Sequence, residues 1–206
     1  MNLFMSLLLS GSTLGLTLGV APSPVLTLSI TQTLSRGFKE GYKVVVAAIV
    51  VDIPLLLVTV FLYSKITDLT IFLGIVSLLG GAFIAYLGYK YIVIKGINLD
   101  DKASHNDSCK QGILANLLNP NPYIFWFTVG GTIIGDALTK NIFDVVAFLL
   151  GFYSLLLLSR FCILYAVSKS TRFIKGMGYL IIIKLLGFIM LLFAVRFIIN
   201  GLEYFI

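Results

Sequence analysis

Asp52 is the residue with most chemical potential in a chain otherwise short of it. It sits near the centre of an apolar run, Tyr42–Tyr63. No other acidic residue lies that deep; Asp144 and Glu203 fall near the ends of their runs. A carboxylate in hydrocarbon is expensive, so such groups pair, take up a proton or face a water-filled path. Asp52 can bind a cationic group or carry a proton. The plainer alternative is a structural ion pair with Arg160 or Lys184. Pro54 follows two residues on and loosens the helix there. Thr59 and Tyr63 share the helical face of Asp52 and extend a polar stripe from it.

Two proline-rich elements come next: Pro22-Ser23-Pro24 and Asn119-Pro120-Asn121-Pro122. A proline inside a helix leaves a carbonyl without its N–H partner and bends the chain. Irregular backbone at membrane depth is tolerated where protein buries it or where it lines a wet cavity. Freed carbonyls can coordinate a cation or an ammonium, and the helix N-terminus that restarts after the break can accept a carboxylate. Together these ends suit a zwitterion such as an amino acid. The alternative is a kink that only shapes packing.

Asn116, Asn119 and Asn121 gather around the second break, and Asn116 and Asn119 share a face. Their amides can serve a ligand or can bond between helices. Ser23 and Gln32 are further candidates of this kind. Arg160 and Lys184 are expected to snorkel toward an interface, with Lys184 the more buried of the two. No phosphate loop, nucleophile elbow or metalloprotease motif appears, so no enzyme and no cofactor are expected. His105, Asp107 and Cys109 alternate in a polar stretch; a metal site there is conceivable, but a solvated loop is the expectation and no metal is assigned. Asn106-Asp107-Ser108 fits the glycosylation sequon on the side predicted to be cytoplasmic, and is discounted. Cys109 and Cys162 form no paired motif, and no disulfide is expected.

The elements that position these residues follow from composition. Of 206 residues, 59% are hydrophobic and 12% charged, against about a quarter charged in soluble domains. Mean hydropathy is +1.04. At about 20 apolar residues per span, the chain holds six helices and no sizeable extramembrane domain. The apolar stretches are about Leu3–Leu34, Tyr42–Tyr63, Leu69–Ile94, Gly112–Ile134, Ile142–Val167 and Met177–Phe197. Met1–Ala21 is read as a retained first span, since no basic residue precedes its apolar run.

The net charge is +6, and in a membrane protein it marks cytoplasmic loops rather than nucleic-acid binding. One side gathers ten basic residues: Arg36, Lys39, Lys43, Lys90, Lys95, Lys102, Lys110, Lys169, Arg172 and Lys175. The other has Lys65, Lys140 and Arg196. The first side is predicted cytoplasmic, with both termini outside.

Pro22 laid over Pro120 brings Pro24 onto Pro122 and Gly37 onto Gly135. The chain then divides into a three-helix repeat at 1–94, a polar cytoplasmic loop at 95–111 and a second three-helix repeat at 112–206. Three is odd, so the second half enters the membrane in the opposite direction. This is the pattern of an inverted-topology repeat whose broken first and fourth helices meet near the midplane. Gly11, Gly15 and Gly19 on the first helix, with Gly81, Ala85 and Gly88 on the third, predict close helix packing, within the subunit or at a homodimer interface.

The stretch Gly19–Leu26 followed by Gly37 and Gly41, the stretch Gly80–Lys90 and the motif Leu117-Leu118-Asn119-Pro120-Asn121-Pro122-Tyr123 together resemble signatures of the lysine exporter (LysE/RhtB) family. Asp52 sits where its lysine-exporting branch carries a membrane aspartate. The sequence differs from the usual pattern at Ala21, Ser23, Pro54 and Pro122. The resemblance implies a small secondary exporter of amino acids, basic or small neutral, or of related solutes. Expected partners are a small-molecule substrate, a coupling ion (proton or sodium) and the lipid of the plasma membrane. The expected binding residues are Pro22, Ser23, Pro24, Asp52, Asn116, Asn119, Pro120, Asn121 and Pro122, with Gln32, Thr59, Tyr63 and Lys184 secondary. Alternatives are an exporter of inorganic or metal cations on the same scaffold and a non-transporting scaffold subunit.

Overall fold

The computed structural model describes residues 3–62, 70–93, 107–170 and 177–204, the side chains at 59–62, 70, 107 and 177–179 excepted. Every regular element among them is a helix. Tyr63 and His105 lie outside the described residues, as do the side chains of Thr59 and Asp107.

Helix α1 (Leu3–Val20) stops where Pro22 cannot donate a backbone bond. α2 (Pro24–Arg36) restarts at once, because proline is harmless at a first helical position and Ser23 caps it. It ends at Gly37, which adopts φ 94°, a left-handed conformation that favours glycine. α3 (Phe38–Leu62) runs unbroken through Pro54, and α4 (Thr70–Ile92) follows.

The second break divides a shorter series. α5 (Asp107–Leu117) begins five residues before the predicted span, so Ser108 and Gln111 are helical rather than part of a loop. α6 (Pro120–Phe125) runs into a wide π turn at Trp126–Gly130 and then α7 (Gly131–Leu138). α8 (Ile142–Ser170) and α9 (Met177–Glu203) are long and unbroken.

Among the described residues, five helical segments are long and apolar enough to cross a membrane: Leu3–Val20, Phe38–Val58, Ile71–Ile92, Ile142–Ser170 and Leu180–Glu203. The remaining predicted stretch is the one divided among α5, α6, the π turn and α7, each too short alone. Large apolar side chains such as Ile71, Phe143, Leu150 and Ile181 point outward. On a chain this hydrophobic, that outer surface faces lipid.

The helices associate in a definite pattern. α1 lies along α8, and α5 lies along α3. α2 packs on α3, and α7 packs on α8. α2 also meets α9, and α6 meets α4, while α4 and α9 pair along their length. Glycines allow the closest of these approaches. A Cβ on Gly11 or Gly15 would strike the backbone carbonyl of Phe148 or Phe152, and one on Gly151 that of Leu8. On the other long seam, Gly88 and Gly187 face each other's carbonyls, and a Cβ on either would stand 2.8 Å from the opposing oxygen. The small-residue faces of the first and third predicted spans therefore serve packing inside the chain.

α2 is the exception to the apolar rule. It is buried along most of its length yet carries Thr27, Ser29, Thr31, Gln32 and Thr33. Three of its hydroxyls bond back into their own helix: Ser29 to the Leu26 carbonyl, Thr31 to that of Thr27 and Thr33 to that of Ser29, each at 2.8 Å. Gln32 bonds outward instead. Its side-chain amide nitrogen, Nε2, donates to the Tyr91 hydroxyl (3.0 Å) and to Gln111 Oε1 (2.8 Å), and its Oε1 accepts from Ser108 Oγ (3.4 Å). This network ties α2 to α4 and α5 and gives both ends of the buried Gln32 amide a partner.

Candidate functional site

α3 carries Asp52 to the side of the bundle where α5 ends. Asn116 Nδ2 donates to Asp52 Oδ1 at 2.7 Å and also to the Ala48 carbonyl at 2.8 Å. One amide thus fixes the carboxylate and the turn of α3 that bears it. Asn116 is 5% exposed. It lies just before the break at Asn119, so the second broken element and the acidic helix meet at this contact.

The two breaks have the same local construction. Ser23 Oγ accepts from the Leu26 N–H (3.2 Å), with Pro24 first in its helix. Asn119 Oδ1 accepts from the Asn121 N–H (3.1 Å), with Pro120 first in its helix. These caps put Pro24 opposite Pro120, two residues away from the overlay of Pro22 on Pro120. Gly37 and Gly135 also differ in what they do: Gly37 ends α2, whereas Gly135 lies within α7.

The released carbonyls have acquired partners. Pro22 offers no N–H to the Leu18 carbonyl, and Arg160 Nη2 approaches that oxygen at 3.5 Å. The Leu117 carbonyl loses the Asn121 N–H to the Asn119 cap, and the Tyr123 hydroxyl donates to it at 2.7 Å. The Leu117 carbonyl is thereby occupied by a side chain of the protein, and that of Leu18 has a contact at the limit of a hydrogen bond.

The structure brings together only part of the expected set. Asp52 and Asn116 touch. Asn119 is buried, with its side-chain oxygen engaged in the cap, and Asn121 is exposed. Pro24 and Pro120 are buried, Pro122 is half-buried, and Pro22 is exposed. Gln32 belongs to the separate network with Tyr91 and Gln111. Lys184 is exposed on the outer face of α9, where its long arm can reach an interface.

Arg160 reverses the expectation that it would snorkel and that Lys184 would be the more buried. It is 8% exposed. Ten residues of α8, about 15 Å of helix, separate it from the helix end at Ser170. No ion pair joins Asp52 to Arg160 or Lys184 among the described residues. Arg160 and Tyr153 nevertheless lie within the electrostatic reach of Asp52, as does Tyr123. Tyr153 stands two turns before Arg160 on α8, on the same face. Its ring packs against Phe152 (5.2 Å between centroids) and Trp126 of the π turn (6.2 Å). The available sequence signal was a lone arginine deep in an apolar run, with a tyrosine seven residues before it.

The arrangement is a carboxylate, an amide, a guanidinium and a phenol presented from α3, α5 and α8 beside two broken helices. The family model for LysE type translocators matches residues 16–201. No curated protein and no solved structure matches the chain.

Proposed function

Because the chain belongs to the LysE type translocator family, we propose that it exports amino acids or related solutes across the plasma membrane by alternating access. The observation that carries this reading is Asp52, an ionisable group within a membrane-spanning helix, held across to α5 by Asn116. Such a group is retained in hydrocarbon where it serves a substrate or ion path.

The helix pairings support an inverted repeat of two three-helix halves. Exchanging the halves turns α1 on α8 into α5 on α3, and α2 on α3 into α7 on α8. It turns α2 on α9 into α6 on α4, and it leaves α4 on α9 unchanged. Rocking of one half against the other about the breaks then exposes Asp52 to each side in turn. A proton or sodium gradient supplies the coupling, and both termini lie outside. Export of an inorganic cation is the weaker reading, since Tyr123 already holds the freed Leu117 carbonyl and the Arg160 guanidinium stands beside that of Leu18.

The test is uptake into inside-out proteoliposomes of a labelled mixture of L-amino acids, with and without an imposed gradient. Gradient-dependent accumulation that Asp52→Asn abolishes is the expected result. Accumulation of none of them by folded, inserted protein would overturn the reading.

A further inference from the structure

Arg160 is a buried cation whose hydrogen-bonding capacity is largely unused. Its guanidinium carries five N–H donors. Nε has no partner among the described residues, and the contact of Nη2 with the Leu18 carbonyl, at 3.5 Å, is at the limit of a hydrogen bond. The Tyr153 hydroxyl, on the same face of α8, is also buried without a partner among the described residues. Buried donors are ordinarily satisfied, so two unmet ones on one helix face call for an acceptor. Asp52, on α3, receives one hydrogen bond among the described residues, at Oδ1. The carboxylate and the guanidinium share a field without forming an ion pair.

We infer that Arg160, assisted by the Tyr153 hydroxyl, binds the carboxylate of an α-amino acid whose ammonium is taken by Asp52, so that the site selects zwitterions. The inference rests on the exporter reading above and assigns the second half of its site. A planar guanidinium presents paired N–H groups that match the two oxygens of a carboxylate, a fit that a lysine ammonium cannot reproduce. A zwitterion placed there compensates the buried guanidinium and the half-buried carboxylate and meets the open Nε and Tyr153 donors. An amine lacking the carboxylate leaves Arg160 uncompensated, and a metal cation would be repelled by it. The weak bond to Leu18 lets the guanidinium exchange a backbone oxygen for a substrate oxygen, and Pro22 is the reason that backbone oxygen is free.

The test uses the full chain in proteoliposomes and labelled L-amino acids, with unlabelled amino acids and their methyl esters as competitors. An ester keeps the ammonium and removes the carboxylate charge. Wild-type protein is expected to be inhibited by the amino acids and barely by the esters. In Arg160→Gln the KM for amino acids should rise by about a hundredfold, and the preference over esters should vanish. Arg160→Lys keeps the charge and loses the paired donors; an intermediate KM is expected, and this variant serves if the glutamine form does not fold. Size-exclusion elution and helical circular dichroism establish folding for each. Transport by wild type with unchanged KM and unchanged ester discrimination in a folded Arg160 variant would overturn the inference and leave the exporter reading standing. Absence of amino-acid transport by wild type would overturn both.

Discussion

At the scale of single residues, Asp52 and Asn116 form a unit, and substitutions at the two positions should differ. Asp52→Asn is isosteric and can still accept from Asn116, so the helices should stay in place while charge-dependent transport disappears. Unchanged transport by that variant would remove Asp52 from the mechanism. Asn116→Ala deletes the donor and leaves a carboxylate oxygen without its hydrogen bond. Such a loss costs about 1–3 kcal/mol, to be read from thermal unfolding in detergent, and transport should fall with it. Tyr123→Phe uncovers the Leu117 carbonyl and should cost about 1 kcal/mol, measured in the same way; no change would mean that water replaces the hydroxyl. Asp52 was legible in the sequence because a carboxylate within an apolar run stands out. The contact with Asn116 was not, since 64 positions separate the pair and sequence spacing carries no information across helices. Arg160 was misjudged for a related reason. Its position in the run and the break at Pro22 were both visible, but not that the two lie together, and the carbonyl it meets is free only because Pro22 offers it no N–H.

The breaks belong to the scale of elements, and there the sequence spoke clearly. Proline has one backbone geometry and no N–H, so its effect on a helix is local and carries over from sequence to structure. The caps follow from the same local chemistry. Ser23→Ala and Asn119→Ala should each cost about 1 kcal/mol, and the double variant should cost the sum if the two breaks are independent. A double variant that departs from the sum by more than about 0.5 kcal/mol would mean that the breaks are coupled. Glycine faces were legible as sites of close packing but silent about their partners, because any small stripe admits any neighbour. The structure supplies the partner: Gly15→Val should drive α1 from α8 and destabilise by about 1–3 kcal/mol, seen as a lower unfolding temperature. α2 falls within the first apolar stretch, Leu3–Leu34, yet is its polar part. Three of its hydroxyls, on Ser29, Thr31 and Thr33, are satisfied within the helix, so a polar segment can sit buried in the bundle.

Charge asymmetry acts on the whole molecule, because the basic residues of short loops are retained on the cytoplasmic side during insertion. The loop between the two halves carries Lys95 and Lys102 and is close to Lys90 and Lys110. If it is cytoplasmic, an odd number of crossings on either side of it puts both termini outside, and the two halves run in opposite directions, an arrangement with which the exchange of α1 on α8 for α5 on α3 is consistent. The native thiols Cys109 and Cys162 are exposed and would obscure labelling, so the experiment starts from Cys109→Ser with Cys162→Ser and adds Ser104→Cys. A membrane-impermeant maleimide should modify that cysteine in inside-out vesicles and leave it untouched in intact cells. Labelling from the outside of intact cells would invert the orientation, and with it the direction in which Asp52 and Arg160 meet the solute. The same reagent applied to a cysteine appended after Ile206 should give the reverse pattern. If both positions label from one side, an even number of crossings separates them and the inverted repeat fails, whatever the helix pairings suggest.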